Sequence, residues 1–349
     1  MAIRVLLVED SLVILAILKL MLMSSPEIEV VGEARTGVEA LTMLIKVKPD
    51  VMCTDLHMPY MSGLELTSRV MASRPLPILV ISSAVRKEDT DNVFQLLQAG
   101  AVDVFPKPHG GLSADFETVQ AELIDKIKTV ANAKLFSHTH SLSQSPNLPV
   151  SPLSSHQPLK IITIGASTGG PEALSKIFTK LPSHLAVPII CVLHISDGFL
   201  QGFVEWLRGD CPLPIIIPGY GEYPQPGKIY FPREGMHLLL DLRGRFTYSQ
   251  QEKVAGHRPS ISVTFNSVAE FYGEGTMGIL LTGMGKDGVE GLKTISQVGG
   301  VTIAQDEASC VVFGMPKAAI ALGVVNQVLS IEEIPRKIIL GNRALEIGH

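Results

Sequence analysis

Apolar residues along this chain follow two alternating periods. Short runs rich in Val, Ile and Leu have the look of buried strands, and between them apolar positions fall three and four residues apart, as on helices. In the first third the strand-like runs are Ile3–Glu9, Glu29–Ala34, Asp50–Asp55, Pro77–Ser82 and Asp103–Lys107. Helical segments lie between them, for example Gly37–Val47 and Glu88–Ala99. Such βα repeats predict a five-stranded, doubly wound parallel sheet with helices on both faces. The apolar stretch Ser11–Met23 reads as a buried helix: acidic Glu9 and Asp10 precede it, Lys19 interrupts it, and it has neither a basic flank nor membrane-spanning length.

The alternation resumes at Lys160. Runs at Lys160–Ala166, Pro188–His194, Leu213–Gly219, Met277–Gly283 and Gly300–Asp306 predict a second, mainly parallel α/β domain. Lys228–Ser249 reads as an antiparallel excursion turning near Arg243 and Gly244. Between the two patterns, Phe136–Pro158 is rich in Ser and Pro and poor in charge, which marks a linker. His138, His140 and His156 lie there without carboxylate or thiol neighbours. The expected domains are therefore 1–133, a linker at 134–158, and 159–349.

Composition narrows the function classes. Hydrophobic content of 46% with a net charge of −5 fits a globular protein with large cores. No basic stripe points to nucleic acid, and no segment calls for membrane insertion. Without an export signal the cytoplasm is the expected location. The four cysteines form no C-x-x-C pair, and Cys53 and Cys191 sit within strand-like runs as core residues.

Polar residues collect where the first sheet's strands should end. Glu9 and Asp10 follow the first strand, Asp55 ends the third, Ser83 follows the fourth and Lys107 the fifth. Converging carboxylates repel one another unless a cation joins them, and oxygen ligands suit Mg²⁺. A carboxylate beside a metal and a lysine can attack phosphorus, and Ser83 could then hydrogen-bond the new phosphoryl group. The motifs LLVEDS, TDLHMPYMSGLEL, VISSA and FPKP resemble the receiver domain of two-component response regulators. The resemblance implies that Asp55 accepts a phosphoryl group from a histidine kinase. It implies that Asp10, Asp55 and the His57 carbonyl hold Mg²⁺ with help from Glu9, and that Ser83 and Lys107 read out phosphorylation. Receivers often carry an aromatic residue three positions before the lysine; this chain has Val104 there, with Phe105 beside it.

In the second domain, KIITIGASTGGPEAL places Ser167 in a glycine-rich turn between a strand and a helix that Pro171 would open. Gly165 to Gly169 reads G-x-S-x-G, the nucleophile-elbow pattern, although a capping serine would look the same. A serine nucleophile needs a base, and the base needs an orienting group. His194 ends the next strand and Asp287 leaves a third at the same edge; His237 and His257 are rival bases, with His257 better suited to substrate contact or helix capping. The backbone N–H groups of Met284 and Thr168 could hold an oxyanion. A competing reading takes Gly283, Gly285 and Gly288 as G-x-G-x-x-G and Asp306 as a ribose ligand, a dinucleotide-binding module. Asp287 inside that loop opposes a pyrophosphate.

The segments IGASTGGPEAL, HRPS, LLTGMGKDG and AQDEASCVVFGMP resemble the catalytic domain of the chemotaxis protein-glutamate methylesterase family, CheB. That resemblance implies Ser167 as nucleophile, His194 as base, Asp287 as orienter and Met284 in the oxyanion hole. It implies a phosphorylation-activated hydrolase that needs no cofactor for ester hydrolysis. Its substrates would be glutamate methyl esters on the cytoplasmic domain of chemoreceptors, with methanol released, and selected receptor glutamines would be deamidated. The family often has Met-Pro after this histidine; this chain has Ile195-Ser196.

Overall fold

The computed structural model describes residues 2–83, 87–108, 116–135 and 158–343. The linker expectation, with its three histidines, falls on 136–157, outside the described residues. The described residues form two compact units, one around each large sheet.

The first unit runs β1 (Ile3–Val8), α1 (Leu12–Met23), β2 (Ile28–Ala34), α2 (Gly37–Val47), β3 (Val51–Asp55), α3 (Gly63–Ser73), β4 (Ile78–Ser82), α4 (Lys87–Gln98), β5 (Asp103–Pro106) and α5 (Phe116–Ala131). The sheet order is β2-β1-β3-β4-β5 and every pairing is parallel. β3 and β4 are buried at every residue, which explains the apolar runs 51–53 and 78–81 that begin them: helices cover both faces of a parallel sheet. Polar residues just before the helical pattern start the helices. Ser11, Thr36 and Ser62 each accept a backbone N–H of the first turn of α1, α2 and α3.

The helix predicted over Ser11–Met23 forms, but it is not buried all round. Leu15, Leu18, Met21 and Leu22 face the core, while Val13 and Met23 are 68% and 67% exposed. A helix apolar on nearly every side carries little record of which face is covered.

The rest of the chain runs β6 (Ile161–Ala166), α6 (Gly170–Phe178), β7 (Ile189–Leu193), α7 (Leu200–Asp210), β8 (Ile215–Ile216), β9 (Ile229–Tyr230), β10 (His237–Leu240), β11 (Phe246–Ser249), α8 (Ile261–Tyr272), β12 (Thr276–Leu280), α9 (Val289–Gln297), β13 (Val301–Gln305), α10 (Met315–Ala321), β14 (Gln327–Leu329) and α11 (Ile334–Arg343), and forms the second unit except for 195–203, which belong to the first. Seven parallel strands make one sheet in the order β14-β13-β12-β6-β7-β9-β8. β10 and β11 form a separate antiparallel pair with Leu240 opposite Phe246, joined through Asp241–Arg245 as the excursion predicted.

Three details differ from the sequence reading. The run Leu213–Gly219 yields only a two-residue strand, because Pro214 and Pro218 bracket it and proline donates nothing to a ladder. Ile229–Tyr230 is not antiparallel; it pairs in parallel with β7 and β8 inside the main sheet. β14 was unforeseen, being three residues at a sheet edge, the central one exposed, with no apolar run.

Strands β6, β7 and β12 lie side by side in register, with Leu280 opposite Gly165 and Ala166 opposite Leu193. α8 crosses close to β6, and a Cβ on Gly165 would come within 2.4 Å of Ile261. Beneath their carboxyl ends lies a core of Val192, Ile261, Phe265, Leu280, Val289, Leu292, Ile295 and Met315. Burial of Phe265 alone is worth roughly 1.5–3 kcal/mol, so this edge of the sheet rests on a rigid base. Cys53 and Cys191 are buried core residues, as expected.

Candidate active site and acidic pocket

Ser167 is the first residue beyond β6 and His194 the first beyond β7. Since Ala166 pairs with Leu193, the two stand side by side where the strands end. The His194 N–H donates to Ala166 O at 2.9 Å, and the Ser167 N–H donates to Thr282 O at 3.0 Å on the opposite side. Ser167 is thus fixed between the ends of β7 and β12. It does not cap α6: the capping position is Gly169, in the left-handed region at φ 76°, with no side-chain cap. The capping-serine alternative is therefore set aside.

Asp287 lies in the loop after β12, almost wholly buried. Its carboxylate accepts the His194 Nε2–H at 3.0 Å and the backbone N–H of Ile261 at 2.7 Å, both on Oδ2. Oδ1 accepts the Ser260 hydroxyl at 2.8 Å, Ser262 N–H at 3.0 Å and Gly288 N–H at 2.8 Å. Ile261 and Ser262 open α8, so the carboxylate occupies that helix's N-terminus, where a negative charge is favoured. Burial alone would raise the Asp287 pKa. The His194 hydrogen bond and charge, with the Ser262 hydrogen bonds, outweigh it and hold the carboxyl well below the ordinary range. A carboxylate that stays ionised fixes the His194 proton on Nε2. Nδ1, buried and with no hydrogen-bond partner among the described residues, then carries the free lone pair.

The loop 282–288 approaches Ser167 closely. A Cβ on Gly283 would fall 2.5 Å from Ser167 Cβ, so only glycine fits there. Thr282 joins three segments: its hydroxyl donates to Thr168 O at 3.0 Å and accepts the Val312 N–H at 2.9 Å, and its own N–H donates to Gln305 Oε1 at 2.8 Å. Gly283 O accepts the N–H groups of Gly314 and Met315. By contrast, the N–H groups of Thr168 and Met284 donate to no described residue. Thr168 directly follows Ser167, and Met284 follows Gly283, whose backbone lies against Ser167; such donors suit a developing oxyanion.

The rival histidines do other work. His237 is buried, with Nε2 at 3.1 Å from Glu252 O and Nδ1 accepting the Ser260 N–H at 3.1 Å. His257 does not cap α8; Ser260 does, and the His257 ring instead stacks on His194. The dinucleotide reading also fails. Asp287 fills the loop where a pyrophosphate would lie, and Asp306 accepts Ser309 N–H and hydroxyl in a local turn.

In the first unit, ligand oxygens of Glu9, Asp10 and Asp55 lie within 4.8 Å of one another. Lys107 Nζ is 2.7 Å from Asp55 Oδ2 and 2.9 Å from Glu9 Oε2. Burial, then the neighbouring Asp55 charge, pushes Glu9 up to about 7 despite the lysine. Asp55 is also raised, chiefly by burial, against the pull of Lys107. Burial lowers Lys107, but Asp55 and Glu9 more than offset it, so its pKa rises. Carboxylates held above their ordinary range show that one lysine undercompensates them, and an all-oxygen set of this size fits a hard divalent cation. Ser83 follows β4 and is half-buried; His57 lies two residues past Asp55. Val104 is buried in β5, and Phe105, also buried, points to the sheet's other face.

Sequence reasoning missed Ser260, Ser262, Thr282 and Gln305. Ser260 alone carried a local signal, a serine before a helical run. The others act through contacts with residues distant in sequence.

The fold and these clusters define a class: a receiver-type acidic pocket on one parallel sheet, joined in one chain to an α/β serine-hydrolase arrangement on another. Known proteins agree. The CheB methylesterase family model matches residues 162–338, and the response regulator receiver domain model matches residues 5–112. A protein-glutamate methylesterase/protein-glutamine glutaminase of Nitrosospira multiformis is 38% identical over 336 residues, covering 95% of each chain. One of the same description from Halalkalibacterium halodurans is 39% identical over 342 residues, covering 97% of each. The crystal structure of the Thermotoga maritima CheB methylesterase catalytic domain superposes with a TM-score of 0.51 at 38% identity, covering 52% of this chain and 97% of that one. The chain belongs to the CheB methylesterase family and carries a response regulator receiver domain.

Proposed function

We propose that the second domain hydrolyses glutamate methyl esters on chemoreceptors and deamidates selected receptor glutamines, and that phosphorylation of the receiver domain activates it. The observation that carries the hydrolase reading is the buried His194–Asp287 pair, which leaves Nδ1 as the free nitrogen at the strand end beside Ser167. His194 Nδ1 takes the Ser167 hydroxyl proton as Oγ bonds to the ester carbon. The carbonyl π electrons move onto oxygen, and Thr168 and Met284 N–H groups stabilise that charge. The tetrahedral adduct then collapses, breaking the bond to the methoxy oxygen, which takes the proton from Nδ1 and leaves as methanol. Water, deprotonated by the same nitrogen, attacks the glutamyl-serine ester; the adduct collapses as Ser167 Oγ leaves with the proton from Nδ1, and the freed glutamic acid side chain ionises by giving its remaining proton to solvent. An amide follows the same path and releases ammonia. Asp287 stays ionised throughout and compensates the imidazolium that forms between proton transfers.

Asp55 is the proposed phosphoryl acceptor, with a histidine kinase as donor. Glu9, Asp10, Asp55 and the His57 carbonyl would hold Mg²⁺, which supplies charge neutralisation for an incoming phosphoryl group. Ser83 and Lys107 would contact that group once bound. The domain division at 1–133, 134–158 and 159–349 stays the working frame. Among the described residues no helix is long and apolar enough to cross a membrane, and the proposed substrates and phosphodonor place the activity in the cytoplasm. The test is methanol release from methylated receptor by the full chain, with and without a small phosphodonor and Mg²⁺. Absence of Ser167-dependent methanol release would overturn the assignment.

A further inference from the structure

The His257 ring lies on His194 with centroids 3.7 Å apart and planes within 10°. This contact is built by the segment before α8. Val254 and His257 exchange backbone hydrogen bonds of 3.1 and 3.0 Å, closing a two-residue turn. Its central residues Ala255 and Gly256 have φ values of 51° and 85°. Such a turn needs both residues in the left-handed region, and Ala255 adopts it against its own steric preference. Arg258 Nη1 anchors the segment by donating to Gln250 O at 2.8 Å and Gln251 O at 3.1 Å. Two residues on, Ser260 caps α8 and donates to Asp287. One short stretch thus presses on two members of the triad, and it holds a strained residue to do so.

The geometry points to His257 as a positioning residue for the base. Among the described residues the His194 side chain makes a single hydrogen bond, from Nε2 to Asp287. One such bond leaves the ring free to swing about it, and each swing moves Nδ1 relative to the strand end where Ser167 stands. A flat ring lying parallel on the imidazole removes that freedom, because tilting His194 would break the stack. The contact of His257 is with the face of the His194 ring, and it acts through the orientation of His194. This inference rests on His194 being the base.

The test uses the full chain with receiver-phosphorylating donor present and methylated receptor as substrate. His257→Ala is expected to lower kcat about tenfold or more, a partial loss of a base's contribution, with KM little changed and the melting temperature retained. His257→Phe keeps a flat ring without nitrogen and is expected to restore most of the lost kcat. His257→Gln keeps polar atoms without a ring and is expected not to. A rise in KM at unchanged kcat would make His257 a substrate contact and overturn the inference. Rescue by Gln but not Phe would make it a hydrogen-bonding residue, with the same consequence. His194→Ala, measured alongside, separates the two readings. If it is inactive while His257→Ala is unimpaired, the triad stands and the positioning role falls. If it is active, the base is misassigned and the triad falls first.

Discussion

Replacing Asp287 by Asn changes one atom type and should nearly abolish turnover. The wild-type carboxylate receives five donors on two oxygens. An amide offers one oxygen. The better orientation keeps that oxygen with Ser260, Ser262 and Gly288 and sets the NH₂ against the Ile261 N–H and His194 Nε2. His194 then becomes an acceptor at Nε2 and carries its proton on Nδ1, where it cannot take one from Ser167. A wrong tautomer of this kind costs about 10⁴ in kcat. The orphaned Ile261 N–H costs about 1–3 kcal/mol, and the missing charge at the α8 N-terminus about 0.3–1 kcal/mol more. The domain should stay folded but melt several degrees lower. The pH dependence has a definite sign. Because folding depresses the Asp287 pKa, its charge stabilises the native state above the unfolded value, near 3.9, and that advantage is lost as pH falls through the folded value. The stability gap between wild type and Asp287→Asn should therefore narrow below about pH 4. Methanol release and thermal melts across pH measure both effects. An Asn variant within tenfold of wild-type turnover would refute the wiring of the triad.

Ser167→Ala and His194→Ala should each remove several powers of ten in kcat, and the double variant little more, because the two act as a unit; additive losses would mean independent roles. Asp55→Asn should keep basal esterase activity and lose its response to a small phosphodonor, and normal activation of that variant would place the acceptor elsewhere. Mg²⁺ should raise the thermal stability of the full chain near pH 7 by offsetting the burial and the Asp55 charge that push Glu9 up to about 7; an equal shift in an Asp10→Asn, Asp55→Asn chain would show that the ion binds elsewhere. Gly283→Ala places a Cβ 2.5 Å from Ser167 Cβ and should cut kcat by displacing the nucleophile, while unchanged kinetics would mean that the turn yields without cost.

The legible parts of this molecule were those where local pattern and tertiary role coincide. β3 and β4 are buried at every residue because both faces are covered, and the apolar runs 51–53 and 78–81 mark them directly. Ser167, His194 and Asp287 could be grouped before any coordinates because parallel strands end at one edge, so their residues just past a strand must meet there. What escaped the sequence depended on partners far along the chain. Ile229–Tyr230 joins the main sheet through Ile189 and Ile215, which no local signal reports. Thr282 looks like one more turn residue, yet its hydroxyl and N–H bind Thr168, Val312 and Gln305. His257 seemed a capping or substrate residue because it precedes a helix. Only the turn at Ala255 and Gly256 puts its ring on His194.

The loop Thr282–Gly288 shows why the dinucleotide pattern and the hydrolase site share a spelling. Both need a backbone that leaves a strand, turns sharply and meets a helix. In a dinucleotide site the glycines make room for pyrophosphate, and a helix N-terminus binds that anion. Here the room is taken by protein. A Cβ on Gly283 would strike Ser167, and one on Gly288 would strike Leu280 and Ile261 at 2.6 and 2.8 Å. The anion at the helix N-terminus is also protein. Asp287 sits on the first N–H groups of α8, so the helix that could have bound a phosphate instead keeps a carboxylate ionised. That carboxylate has one strong outward hydrogen bond left to make, and His194 accepts the consequence: its proton is held at Nε2 and its basic nitrogen is left at Nδ1. The charge of one residue inside the glycine pattern therefore decides between the two chemistries.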